Sequence, residues 1–258
     1  MLVNTGEDVT DMAVSGSTAG GPQLPGDNHG TLVAGCVAAQ MDNGIGIAGA
    51  APMVRIKPIR AFKQLASGLT YQNSWIVNAL TLAQGSCRIS NLSYSINASS
   101  VITQKYADTR DAGMVHFAAA GNNGPPLTGS TTVTYPASLP EVMAVGALAQ
   151  SGGIWSSSSQ GPEVDFVAPG EGILTTDRSG AAGIDPGDYA LASGTSFACA
   201  FAAAIAGLVL SSDSTLTAPA VEQILRGTAD DLGAAGFDPV FGSGRIDGLA
   251  AVVRARGI

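Results

Sequence analysis

Short β-branched runs alternate with stretches of helical periodicity along this chain, and that alternation narrows the fold more than any other feature. It predicts an α/β class with a mostly parallel central sheet and helices on its faces. The strand candidates are 54–59, 88–93, 114–119, 142–147 and 164–168, several of which end in Gly, Pro or Ser. Helical spacing is clear at 74–84, where Trp75, Ile76, Ala79, Leu80 and Ala83 share a face, and 31–40 reads as a second helix. Thr217 reads as an N-cap, with Pro219 inside the first turn of its helix. The apolar run 198–210 is 13 residues long, short of the roughly 20 that a membrane span needs. It predicts a buried core helix.

At 258 residues and 45% hydrophobic, the chain is long enough for a substantial core and reads as one domain, 1–258. Segments 124–134 and 176–187, rich in Gly, Pro, Ser or Thr, read as surface loops. A net charge of −8 argues against a nucleic-acid partner, which normally leaves a basic footprint. Between Asp42 and Asp108 there is no acidic residue, and Arg55, Lys57, Arg60, Lys63, Arg88 and Lys105 read as solvated loop ends. Cys36, Cys87 and Cys199 have no metal-ligand spacing and read as small core residues. Met1 is followed by a polar, acidic stretch, unlike a signal peptide.

Acyl transfer requires a hydroxyl nucleophile, a neutral imidazole to take its proton and donors for the oxyanion. Only His29 and His116 can supply the imidazole. His116 lies in the apolar strand pattern Met114-Val115-His116-Phe117-Ala118 and reads as a core or sheet-face residue. His29 stands among polar residues at the start of a helix, where a side chain can face a cleft. Ser196 opens the alanine-rich helix, whose free amides favour negative charge, although a serine there is also an ordinary cap. Asn122 follows the strand end Ala118-Ala119-Ala120-Gly121; a turn or an oxyanion donor both fit it. Gly44-Ile45-Gly46-Ile47-Ala48-Gly49 matches a dinucleotide-binding pattern, but Ala51-Pro52 follows and no acid comes before Asp108, so context rejects it.

These motifs occur together as His29-Gly30-Thr31, Asn91-Leu92-Ser93, Ala119-Ala120-Gly121-Asn122, Tyr135-Pro136, Ala168-Pro169-Gly170 and Gly194-Thr195-Ser196-Phe197-Ala198. In that order the chain resembles the subtilisin-like serine peptidases, the subtilases, over nearly its whole length. The resemblance implies a three-layer subtilisin-like fold. It implies Ser196 as nucleophile, His29 as general base and then acid, and Asn122 with the Ser196 amide as oxyanion hole. Asn4 falls where the family has the aspartate that orients the histidine, so activity is expected to be weakened or disabled. A low-activity peptidase, an inactivated form and a silent polypeptide-binding module all remain open. Asp8 and Asp11 lie too far along to replace that acid.

Ser93, Tyr94 and Ser95 match the segment that pairs with an extended substrate, and Gly121 belongs to another wall of the primary pocket. Where the family often has glycines, this chain has Ser95, Ile96 and Thr134, so large aromatic residues are expected to fit less well. After the serine, Cys199-Ala200-Phe201 replaces the usual proline and histidine, which bears on packing more than on chemistry. No cofactor is required; a structural calcium is implied only through the loop 41–47, with Asn43 and backbone carbonyls as candidate ligands. The expected partners are a polypeptide substrate and the protein's own propeptide or N-terminal segment. The expected location is secreted or cell envelope. Only three residues precede the functional end of the first strand, Leu2-Val3-Asn4, so the natural chain is expected to begin earlier.

Overall fold

The β-branched runs in the middle of the chain become adjacent, buried strands. The computed structural model describes residues 7–8, 28–65 and 68–257. In chain order its elements are β1 (Glu7–Asp8), α1 (His29–Ala38), β2 (Ile59–Arg60), β3 (Lys63–Leu65), β4 (Gly68–Thr70), α2 (Asn73–Gln84), β5 (Ile89–Leu92) and α3 (Ser100–Asp111). There follow β6 (Val115–Ala119), β7 (Val142–Leu148), β8 (Val164–Pro169), β9 (Ile173–Thr176), β10 (Tyr189–Ala192), α4 (Thr195–Ser212), α5 (Ala218–Gly227) and α6 (Gly248–Ala255). Strands β5-β6-β7-β8 form a parallel sheet in that order, with Ile89 opposite Val115 and His116 opposite Val142. Two antiparallel pairs, β3 with β4 and β9 with β10, and the short parallel pair β1 with β2 lie outside it.

Period-two alternation divides the sheet between two helical layers. Val115, Phe117 and Ala119 of β6 join Met143, Val145, Phe166 and the α4 residues Ala198, Ala202 and Ala206 in one core cluster. On the other face Ala118 and Ala144 pack with Ile76, Leu80, Ile102 and Tyr106 of α2 and α3. The resulting three-layer α/β architecture matches the sequence expectation. Helix α4 touches all four strands of the main sheet. Its small residues allow that close approach. At 18 residues it is long and apolar enough to cross a membrane on composition alone, but most of its apolar surface is buried inside the fold.

The strand expected at 54–59 forms only at its end, as β2. Val54 donates to Ala51 in a turn at 3.1 Å, and Pro58 has no N–H to offer a ladder. Two of the three cysteines, Cys36 and Cys199, are buried as expected, whereas Cys87 is half-buried beside Ser86.

His116 is fully buried, as its strand pattern implied. Thr109 Oγ1 gives its proton to the Lys105 carbonyl at 2.7 Å, so at 2.9 Å from His116 Nε2 it acts as acceptor. Nδ1 then accepts from Ser90 Oγ at 2.6 Å. The ring is held neutral; burial, reinforced by the Arg110 charge, pushes its pKa down to about 4. Because the unfolded chain binds a proton near the ordinary value of about 6.5 and the fold resists it, this stabilisation is present above that value and falls as pH drops toward 4. We expect a loss of about 2 to 3 kcal/mol between pH 7 and pH 4.5 from this group. Urea unfolding at the two pH values, compared with the same pair for His116→Gln, checks it; an unchanged difference in the variant contradicts the assignment.

Candidate active site

In parallel sheets, ligands bind beyond the carboxyl ends of the strands. Ser93 follows β5 there, and Gly121 and Asn122 lie just past the end of the adjacent β6. The turn before α4 is fastened to the same edge: Gly194 donates to Gly170, just past β8, at 2.8 Å, and Gly172 donates to Ser193 Oγ at 2.9 Å. The amino end of α4 therefore opens onto the strand ends.

Ser196 is the second residue of α4 and is half-buried. Its Oγ donates to the Ser93 carbonyl at 3.4 Å, a long bond that holds the hydroxyl loosely. In return Ser93 Oγ donates to the Ser196 carbonyl at 2.8 Å while accepting from Asn91 Nδ2 at 3.0 Å. Ser93 thus fixes the backbone of Ser196 from the end of β5. Beneath them Cys199 lies against Ser93 and Leu92, and burial pushes its thiol up to about 12. It fills core space as a neutral thiol.

Asn122 supplies what the sequence placed elsewhere: the cap of α4. The Thr195 amide donates to Asn122 Oδ1 at 3.0 Å, and the Thr195 hydroxyl donates to the same oxygen at 2.9 Å. A backbone N–H can only donate, so the oxygen faces Thr195 and Nδ2 points away. That nitrogen lies beside Gly194, 3.5 Å from where a Cβ would stand. The Gly121 amide closes the loop by donating to Thr195 Oγ1 at 3.2 Å. Among the described residues the Ser196 amide, in the first turn of α4, has no acceptor. Among the described residues, N–H donors on Asn122 and on Ser196 are therefore left without an acceptor.

His29 is the first residue of α1. The first turn of that helix is pinned by β9, because Thr175 and Thr176 hydroxyls donate to the Leu32 and Thr31 carbonyls at 2.6 and 2.9 Å. Gly35 lets the threonines come this close; a Cβ there would collide with both of their hydroxyls. At the start of the same helix, Asn28 bonds Asp177. Burial alone would raise that carboxyl, but the amides of Asp185, Arg178 and Ile184 together with Asn28 outweigh it and hold its pKa below the usual range. The His29 ring lies 6.3 Å from the ring of Phe197, the residue after Ser196. Desolvation by the surrounding protein lowers the His29 pKa, although the residue as a whole is exposed. A lowered value favours the neutral imidazole that a general base needs. Ser196 Oγ bonds to Ser93 and not to His29 here; such contacts commonly tighten only with substrate. Asn4 lies outside the described residues.

Of the substrate-wall candidates, Ser95 is exposed and Gly121 is buried. Gly121 has φ +115°, and a Cβ there would stand 2.8 Å from both Ser159 Oγ and Thr134 Cγ2. Glycine is required on both counts. The Tyr94 ring turns away into the α2–α3 layer, 4.7 Å from the Phe62 ring, with its hydroxyl 3.0 Å from that of Tyr106. Tyr71, Ser95, Ile96, Asn97, Thr134 and Tyr135 line a neighbouring hollow of about 360 Å³.

The loop 40–48 encloses a second hollow of about 290 Å³. Asn43 Oδ1 already accepts the Ile45 amide at 3.1 Å, and no group of three His, Cys, Asp or Glu side chains gathers among the described residues.

A parallel sheet with a serine at a helix start, an asparagine amide aimed beside it and a histidine on a neighbouring helix defines a class. The sequence profile of the Subtilase family matches residues 6–244, and the chain belongs to that family. Over 233 residues it is 36% identical to Subtilisin E of Bacillus subtilis (strain 168), covering 89% of this chain and 57% of that protein. The extracellular protease of Xanthomonas campestris pv. campestris is 32% identical over 247 residues, covering 92% of this chain and 42% of that one. The chain thus spans about half the length of these relatives. Among solved structures, a protease from Pseudoalteromonas arctica PAMC 21717 superposes with a TM-score of 0.81 at 26% identity, over 97% of this chain and 83% of that chain.

Proposed function

We propose that this protein is a serine endopeptidase in which Ser196 attacks the peptide carbonyl, His29 moves the proton, and Asn122 Nδ2 with the Ser196 amide holds the oxyanion. The observation that carries this reading is the lock on Asn122. Thr195 takes up its oxygen through two bonds, so Nδ2 needs no reorganisation before it meets developing charge. Asn4 in the acid position weakens the reaction: an amide cannot stabilise the imidazolium as a carboxylate does. Asn4 also favours a second reading, a silent subtilase-like module that binds polypeptides without cutting them. The two readings part on serine reactivity.

The partner is a polypeptide laid along Ser93, Tyr94 and Ser95 by strand addition, and the protein's own N-terminal segment is a natural competitor for that groove. Secretion or attachment at the cell envelope fits the extracellular protease among the relatives. Calcium enters no step.

Replacing Asn122 by Ala is expected to lower kcat by about 10² to 10³ with KM within a few-fold, because the interaction forms only in the transition state. A fluorogenic peptide assay checks it. A kcat within fivefold of the parent sinks the oxyanion assignment.

A further inference from the structure

Ser95 and Thr134 belong to different walls of the groove, yet their hydroxyl oxygens are 2.8 Å apart. Thr134 is seated firmly: its amide donates to the Ala120 carbonyl at 2.8 Å, and its hydroxyl reaches the same oxygen at 3.2 Å. With the Thr134 proton directed there, Ser95 is the donor of the bridge. On its other side Thr134 Cγ2 lies against Gly121, so close that a Cβ on that glycine would clash. The gap between the Ser93–Ser95 and Ala119–Gly121 segments is therefore bridged by two side chains. A substrate side chain entering between the two segments would meet a methyl and a hydroxyl bridge before the hollow that Ser95 and Thr134 also line.

Given a serine peptidase at this site, we infer that Ser95 and Thr134 restrict the residue on the acyl side of the cleaved bond to small side chains, Ala, Ser or Gly. Opening the gap for Phe requires breaking the bridge and displacing Thr134, which is packed on Gly121 and tied to Ala120. Small residues leave both hydroxyls satisfied. Discrimination by pocket depth of this kind commonly amounts to about 10- to 200-fold.

The test uses product peptides of one sequence ending in Ala or Phe, with affinity for the intact protein measured by calorimetry. Ranking by binding does not depend on turnover, so it stays readable even if Ser196 fails to react with a fluorophosphonate, the result that would defeat the peptidase reading itself. The Ala peptide is expected to bind at least tenfold more tightly than the Phe peptide. In Ser95→Gly the gap should narrow, and in Ser95→Gly with Thr134→Gly it should close or reverse. Thr134→Val, which keeps the bulk and removes the hydroxyl, should hold most of the preference. Equal or tighter binding of the Phe peptide by the parent, no binding of either peptide, or a preference untouched by Ser95→Gly and the double change overturns the inference.

Discussion

Replacing Asn4 with aspartate is expected to raise kcat by about 10³ to 10⁴ while KM moves only a few-fold. In a subtilisin, loss of the corresponding acid costs about 3 × 10⁴ in turnover, roughly 6 kcal/mol. The effect has two parts. A carboxylate accepts the ring N–H and so leaves the serine-facing nitrogen free to act as base. It also stabilises the imidazolium once the proton has moved. Asparagine can present NH₂ to the ring and favour the wrong tautomer, and it carries no charge. Steady-state kinetics on a fluorogenic peptide give the answer. An increase below about tenfold contradicts the role assigned to position 4.

Removing the nucleophile should depend on the residue at position 4. In the Asn4→Asp background, Ser196→Ala is expected to lower kcat by about 10⁶, because serine, histidine and acid act as one unit. With Asn4 in place the same change should cost only about 10², since most of the triad's contribution is already gone. What remains in both cases comes from the oxyanion donors and from binding. Ser196→Ala also deletes the long bond to the Ser93 carbonyl, but the Ser93 hydroxyl still holds the Ser196 main chain. The fold at the start of α4 should therefore survive, and an unchanged thermal midpoint separates lost chemistry from lost structure. Equal losses in the two backgrounds would show that position 4 does not act through the serine.

Much of this was legible in the sequence where the pattern was local. Runs at 114–119, 142–147 and 164–168 became β6, β7 and β8 within a residue or so, because strands buried on both faces are written as nearly continuous apolar runs. Helix α3 was missed: Ile102, Tyr106 and Thr109 are its buried residues, a narrow stripe that includes a threonine and is surrounded by polar positions. In α6 only Ala251 is buried, so there is little periodicity to read. The run 54–59 has strand-like composition but is broken by Pro58 and the turn at Ala51. Motif order singled out His29, Asn122 and Ser196, but not the mechanism that aims Asn122. That depends on Thr195, 73 positions away, a contact no spacing rule can foresee. The bridge between Ser95 and Thr134 was hidden for the same reason, although both positions stood out as departures from glycine.

The central claim, a correctly seated serine nucleophile whose histidine lacks a charged anchor, is tested most directly by the rate of fluorophosphonate labelling mapped by mass spectrometry. The protein with Asn4 should label slowly and only at Ser196, Asn4→Asp should label at least a hundredfold faster, and Ser196→Ala should not label at all. Fast labelling with Asn4 in place, matching that of the aspartate variant, or labelling that persists without Ser196, would contradict the account.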